Sequence, residues 1–99
     1  MKVAIEIKET SMTLVPEDRL DTLTAPELRE ELNKYPLSQM TEIILDAEKL
    51  EFISSAGLRV LLHTYRNMKM GGVLRVINAN HIIKEVFKVT GFDNMFIIE

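Results

Sequence analysis

The chain has 99 residues, of which 46% are hydrophobic and 27% are charged, and these values are ordinary for one small globular domain with its own core. Twelve basic and fifteen acidic residues give a formal charge of −3, which argues against nucleic acid or an anionic membrane surface as the main partner. The sequence has no cysteine, so disulfides, thiol catalysis and cysteine-bound metals are excluded.

Membrane and export signals are also missing from the sequence. No apolar run approaches the length of a membrane span, and the N-terminal stretch from Met1 to Glu6 does not have the pattern of a signal peptide. We therefore expect a cytoplasmic protein without membrane insertion.

The first part of the chain has the pattern of a β-hairpin. Apolar and polar residues alternate between Lys2 and Lys8, which predicts a half-exposed strand. Glu9-Thr10 is the predicted bend, and a second strand returns from Met12 to Pro16. This strand is expected to end at Pro16, because proline has no N–H to donate to a neighbouring strand.

A first helix is predicted from about Ala25 to Lys34. Thr24, followed three residues later by Glu27, matches a capping box, and proline in the first turn supports the same start. This helix would bury Leu28 and Leu32.

The segment after this helix predicts a buried strand and then a second helix. Ile43–Leu45 is a short apolar run, typical of a central strand. The small residues Ser54–Gly57 follow, and they lie at or just before a helix N-terminus, where unpaired N–H groups and the helix dipole favour an anion. The helix has apolar residues at helical spacing: Leu58, Leu61, Leu62, Tyr65 and Met68.

The last third of the chain predicts one more strand–helix unit. Gly71-Gly72 leads into a strand at Val73–Ile77, and Asn80 is the predicted cap of a third helix. A short final strand is predicted within Met95–Ile98. The inward-facing residues of the third helix are expected to be Ile82, Ile83, Val86 and Phe87.

The predicted order is β-β-α-β-α-β-α-(β), and it indicates a single small α/β domain over residues 1–99. We expect a mixed sheet of four to five strands with three main helices, in which the hairpin is antiparallel and the later strands are parallel. Because binding crevices of parallel sheets lie beyond the carboxyl ends of the strands, the Ser54–Gly57 and Asn78–Asn80 loops are expected to share one edge.

The residues give little support for an enzyme or a metal site. Ser55, His63 and Asp46 are the residue types of a serine hydrolase, but His63 is eight residues beyond Ser55, which is about 12 Å along a helix. A nucleophile and its base must approach to about 3 Å. His63 and His81 have no ligand at i+3 or i+4 that would make a metal site, and no nucleotide-binding motif is present. We therefore predict no catalytic residue, no metal and no cofactor.

Ordinary helix capping is the alternative role for both serines of the small-residue cluster. Neither Ser54 nor Ser55 is followed three residues later by Glu or Gln, because those positions are Gly57 and Leu58. The absence of a capping box favours a hydroxyl kept for another purpose.

The string F-I-S-S-A-G-L-R-V-L-L, which begins at Phe52, resembles the signature of the STAS domain, and specifically that of the bacterial anti-sigma factor antagonists. Leu20-Asp21 followed by Thr24–Pro26 resembles the L-D-x-x-x-A-P element of the same family. Asp18 stands where the family commonly has glycine, and Ser54 stands where it often has aspartate. The resemblance covers essentially the whole chain and implies that Ser55, with Ser54 as the lesser candidate, is the phosphorylated serine.

The resemblance also implies a function in partner switching. The unphosphorylated chain would bind an anti-sigma factor serine kinase of the histidine-kinase-like ATPase type and so free a sigma factor, phosphorylation by that kinase would end the association, and a serine phosphatase would restore it. An alternative within the family is a non-phosphorylated STAS subunit that acts as a fixed interaction module in a transporter or stress-signalling complex. The implied partner-binding surface consists of Asp21, Thr22, Ser54, Ser55, Ala56, Gly57, Arg59, Asn78 and Asn80.

Overall fold

The computed structural model describes all of residues 1–99 as seven strands and three α-helices. The strands are β1 (Val3–Lys8), β2 (Ser11–Pro16), β3 (Asp18–Leu20), β4 (Glu42–Asp46), β5 (Leu50–Ile53), β6 (Val73–Ile77) and β7 (Ile97–Ile98). The helices are α1 (Ala25–Leu32), α2 (Ser55–Arg66) and α3 (His81–Thr90).

The main sheet has five strands in the order β1-β2-β4-β6-β7. Strands β1 and β2 are antiparallel, and every other neighbouring pair is parallel. The central strand is β4, in which Ile43 and Leu45 are fully buried. The predicted α/β class, mixed sheet and three helices are confirmed.

The opening hairpin is confirmed together with its turn. Lys8 pairs with Ser11, so Glu9 and Thr10 form a two-residue loop. Glu9 adopts a positive φ of 58°, a conformation usually left to glycine or asparagine in such turns. The second strand ends at Pro16, as expected.

A second, two-stranded sheet was not predicted from the sequence. It consists of β3 and β5, which are parallel. Their three and four residues are too few to show an alternating pattern. Because of this sheet, β5 leads into α2, whereas the sequence analysis had the predicted strand at Ile43–Leu45 lead into that helix.

The core is a cluster of 23 buried hydrophobic residues. Phe96 forms its aromatic centre, with ring centroids 5.5 Å from Tyr65 and 6.2 Å from Phe87. Edge-to-face pairs of this kind stabilise a core beyond the area they bury.

The buried faces of α2 and α3 differ from the predicted faces. In α2, Val60 and Thr64 are buried while Leu62 is only half-buried. The buried Thr64 hydroxyl donates a 2.7 Å hydrogen bond to the Val60 carbonyl, so a polar residue is tolerated there. In α3, the prediction that Ile82 points inward is wrong, because its side chain is 51% exposed.

The helices are too short to cross a lipid bilayer: α2, the longest, has 12 residues, and none has a sufficiently long apolar segment.

Candidate functional site

The two serines at the start of α2 have different structural roles. Ser54 is the N-cap residue in an extended conformation, and its Oγ accepts a hydrogen bond from the Gly57 N–H at 3.4 Å. Ser55 is the first residue of the helix and is exposed. Its hydroxyl makes no hydrogen bond within the chain. Capping therefore occupies Ser54 and leaves the Ser55 oxygen free.

Gly57 allows the first turn of α2 to pack directly against β3 and β5. A Cβ atom at this position would lie 2.7 Å from Leu20 Cγ, 2.9 Å from the Leu20 carbonyl oxygen and 2.9 Å from Ile53 Cγ1. Gly57 is buried, and its place on the partner-binding surface stays a prediction. Its role is to hold Ser55 close to the turn that follows Leu20.

That turn is organised by Asp21. The Asp21 Oδ1 accepts hydrogen bonds from the N–H groups of Leu23 at 3.0 Å and Thr24 at 3.1 Å. The Asp21 carbonyl also accepts from the Ala25 N–H at 2.8 Å. Helical turns therefore begin at Asp21, four residues before α1.

The predicted capping box at Thr24 and Glu27 is wrong. The Thr24 side chain makes no cap hydrogen bond to the helix, because its hydroxyl donates to the Arg19 carbonyl at 2.7 Å and accepts from the Asp21 N–H at 2.9 Å. Glu27 instead binds the N-terminal ammonium of Met1 at 2.8 Å.

The same hydrogen bonds lower the pKa of Asp21. The Thr24 N–H is the largest cause, with smaller contributions from the Leu23 N–H, the Thr24 hydroxyl and the positive charge of Arg19, while partial burial opposes the shift. The hydrogen bonds of the turn therefore favour the ionised form of the Asp21 carboxylate.

The Asp21 turn presents two side chains to solvent beside the start of α2. Thr22 is exposed, and Leu23 is 81% exposed. The backbone links this turn to α2 directly, because the Ser54 N–H donates to the Leu20 carbonyl at 2.9 Å. The structure thus brings Asp21 and Thr22 together with Ser54 and Ser55.

A shallow cleft of about 290 Å³ lies next to this pair of segments, between α1 and the first turns of α2. It contains Thr22, Ala56 and Arg59 from the predicted surface. The residues that line the cleft are Thr22, Ala25, Pro26, Arg29, Ala56, Arg59 and Val60.

The Asn78–Asn80 loop follows β6 and is tied by its two asparagine side chains to β4 and β5. Asn78 donates to the Asp46 carboxylate at 3.1 Å, at the end of β4. Asn80 caps α3, as predicted, by accepting from the Ile83 N–H at 2.9 Å. Its amide donates to the Glu51 carbonyl at 3.2 Å.

Glu51 is three residues before Ser54, which is about 10 Å along a strand. The Ser54–Gly57 segment follows β5 and the Asn78–Asn80 loop follows β6, and no hydrogen bond joins the two. The ends of β4 and β6 share one edge of the main sheet, where Asn78 binds Asp46. The expectation that the Ser54–Gly57 loop lies at the same edge stays a prediction.

The residue types of a hydrolase are not assembled in the structure. Asp46 binds Asn78 and the Glu48 N–H, and the His63 ring contacts Asn67 at 3.4 Å. No hydrogen bond links Ser55 to either Asp46 or His63. No group of three or more His, Asp or Glu side chains is arranged to hold a metal ion.

Sequence reasoning missed two residues of this region, Leu23 and Arg29. An isolated leucine between two threonines, outside any helical or strand pattern, was the available signal for Leu23. Arg29 gave no signal, because its place beside α2 depends on how the helices pack.

Comparison with known proteins agrees with this architecture. The STAS domain profile matches residues 2–99. The chain is 31% identical over 78 residues to BtrV of Bordetella bronchiseptica, a candidate anti-sigma factor antagonist. The aligned residues cover 78% of this chain and 67% of BtrV. The anti-sigma-B factor antagonist of Listeria monocytogenes is 22% identical over an alignment of 103 positions. The alignment covers 100% of this chain and 90% of that protein.

Solved structures show the same fold. The unphosphorylated form of the anti-sigma factor antagonist SpoIIAA superposes with a TM-score of 0.84 at 19% identity, over 99% of this chain and 88% of that one. The phosphorylated form of SpoIIAA, a Bacillus cell fate determinant, superposes with a TM-score of 0.75 at 19% identity, over 99% of this chain and 91% of that one.

Proposed function

The chain belongs to the STAS domain family, among its anti-sigma factor antagonists, and from this premise we propose that it binds an anti-sigma factor and that phosphorylation of Ser55 ends the association. The partner is a serine kinase of the histidine-kinase-like ATPase type, which releases a sigma factor when this chain binds it. The same kinase phosphorylates Ser55, and a serine phosphatase removes the phosphate.

The observation that most strongly supports Ser55 as the phosphorylated residue is that the two serines at the start of α2 have different roles. The Ser54 side chain caps the helix, whereas Ser55 is exposed and its hydroxyl is free. A kinase can therefore reach the Ser55 oxygen without breaking a hydrogen bond of the folded chain. The exposed turn at Thr22 and Leu23 provides neighbouring surface for the partner.

The fold is suited to tolerate a phosphate at Ser55. The first residue of a helix lies at the positive end of the helix dipole, where unpaired N–H groups favour a negative charge. The first turn of α2 has no acidic residue that would repel the phosphate. Phosphorylation should therefore leave the folded state nearly unchanged.

The effect on association should be large, because the same charge would lie within an interface. A phosphate adds about −1.5 to −2 charges at neutral pH. Desolvating this charge against a partner surface costs several kcal/mol, and each ~1.4 kcal/mol weakens binding tenfold.

The proposal is tested by titrating the chain into the purified serine-kinase anti-sigma factor encoded in the same genome, with magnesium and ADP so that no phosphate is transferred. Ser55→Ala should bind within about twofold of the unchanged chain, and Ser55→Asp should bind at least about tenfold more weakly. Ser54→Ala tests the lesser candidate and should also bind within about twofold, because its hydroxyl acts in the helix cap.

Equal affinities of Ser55→Asp and the unchanged chain would contradict the switch and would favour a fixed interaction module. Absence of any binding by the unchanged chain would contradict the proposal that this anti-sigma factor is the partner.

A further inference from the structure

The cleft between α1 and α2 combines an apolar floor with two positive charges. Ala25 and Val60 are 2% and 6% exposed and form the floor. Arg29 and Arg59 are exposed at its sides. No acidic residue lines this cleft, although the chain has three more acidic than basic residues.

Neither of these arginines has an ion-pair partner within the chain. Arg75 binds Glu42 and Glu99, and Arg19 lies 3.8 Å from Asp21. Arg66, near the end of α2 and outside the cleft, is the only other arginine without a carboxylate partner. Two unpaired guanidinium groups across one apolar floor form a surface complementary to an acidic ligand.

We infer that this cleft receives an acidic segment of the anti-sigma factor, in which a carboxylate lies beside a small aliphatic side chain. Arg29 and Arg59 bind the carboxylate, and Ala25 and Val60 contact the aliphatic group. The inference rests on the proposed function and adds the chemistry of the partner segment.

The cleft is continuous with the surface around Ser55. Ala56, the residue after Ser55, lines it, and so does Thr22 from the Asp21 turn. A partner that contacts Ser55 therefore reaches the cleft without leaving the protein surface.

The acidic character of the partner segment also accounts for the direction of the switch. Ser55 and Arg59 are four residues apart in α2, so they are neighbours on one face of the helix, with Cβ atoms about 5–6 Å apart. A phosphate on Ser55 would pair with the Arg59 guanidinium and would repel the partner carboxylate. Phosphorylation would thus remove an attraction and add a repulsion at the same site.

The test measures binding of the purified serine-kinase anti-sigma factor, with magnesium and ADP, to arginine variants of the full chain. Arg29→Ala and Arg59→Ala should each weaken binding by about fivefold to tenfold, and the double variant should have a weaker salt dependence than the unchanged chain. Arg66→Ala is the matched control and should bind within about twofold. Because all three side chains are exposed, the melting temperatures should stay unchanged.

A double-mutant cycle tests the link to phosphorylation. The loss of affinity caused by Ser55→Asp should be smaller in the Arg59→Ala background than in the unchanged chain. An equal loss in both backgrounds would overturn this link.

The inference is separable from the proposed function. Binding by the unchanged chain together with full binding by the Arg29→Ala/Arg59→Ala variant would overturn the role of the cleft and leave the proposed function intact. An equal loss in Arg66→Ala would also overturn it, since general charge attraction would then explain the result. Failure of the unchanged chain to bind would overturn the proposed function and the inference with it.

Discussion

Gly57→Ala is expected to destabilise the chain, although alanine is the better helix former. The added methyl group would lie 2.7 Å from Leu20 Cγ and 2.9 Å from the Leu20 carbonyl oxygen, whereas non-bonded carbon atoms prefer about 3.5–4.0 Å. The Leu20 carbonyl cannot withdraw freely, because it accepts the hydrogen bond from the Ser54 N–H. The overlap must therefore be relieved by moving α2 away from β3.

The expected change follows from two opposing terms. Overpacking of this kind costs about 1–3 kcal/mol, and the gain in helix propensity from glycine to alanine offsets at most about 1 kcal/mol. Because all three contacts are shorter than 3 Å, the overpacking cost should be in the upper part of that range, and we expect a net loss of about 1–2 kcal/mol in the free energy of unfolding. For a chain of this size, each kcal/mol lowers the melting temperature by about 4–8 °C.

Urea unfolding followed by circular dichroism measures this loss, with thermal melting as a second readout. Ser55→Ala is the control from the same helical turn and should stay within about 0.5 kcal/mol of the unchanged chain, because its side chain is exposed. A Gly57→Ala variant as stable as the unchanged chain, or more stable, would refute the argument that α2 packs too closely on β3 for a side chain at this position.

Three further predictions concern the hydrogen bonds that position the site. Because folding lowers the pKa of Asp21 below its ordinary value of 3.8, the contribution of Asp21 to stability is present above that value and is lost as the pH falls through the lowered pKa. The Asp21→Asn variant should therefore lose less stability than the unchanged chain between neutral pH and about pH 3. Equal losses for the two proteins in urea titrations would count against this role of Asp21. Ser54→Ala should cost about 0.5–1 kcal/mol in urea unfolding through loss of the α2 cap, and a cost no larger than that of Ser55→Ala would show that the 3.4 Å contact is not a cap. Asn80→Ala should cost about 1–2 kcal/mol, because it removes both the α3 cap and the bond to the Glu51 carbonyl, whereas Asn80→Ser should recover part of the cap.

The parts of the fold that depend on local pattern were predictable from the sequence. The alternation from Val3 to Lys8 and the apolar run at Ile43–Leu45 each mark a strand by its own residues. Asn80 marks the start of α3 because its own side chain accepts a hydrogen bond from the Ile83 N–H, three residues further along the chain.

The parts that depend on tertiary contacts were not predictable. Strands β3 and β5 are too short to show a period, and each exists because the other is beside it. Thr24 and Glu27 have the spacing of a capping box, but the Asp21 turn occupies the Thr24 hydroxyl and the Met1 ammonium takes Glu27. A spacing rule describes one helix end in isolation and does not include such competing partners.

The candidate site also has features that the sequence predicted and features that depend on tertiary contacts. The sequence placed Ser54 and Ser55 at a helix start, but only the structure shows that Ser54 caps the helix and that Ser55 is free. The burial of Gly57 and the place of Arg29 in the cleft follow from the packing of α1 and α2.

We propose that a phosphate on the Ser55 hydroxyl separates this chain from its anti-sigma factor while the fold survives. The most direct measurement incubates the purified chain with that kinase and ATP, locates the phosphate by mass spectrometry and follows the complex by size-exclusion chromatography. We predict a single phosphate on Ser55, elution of the phosphorylated chain apart from the kinase, and an unchanged melting temperature. A phosphate on another residue, or a phosphorylated chain that remains in the complex, would contradict it.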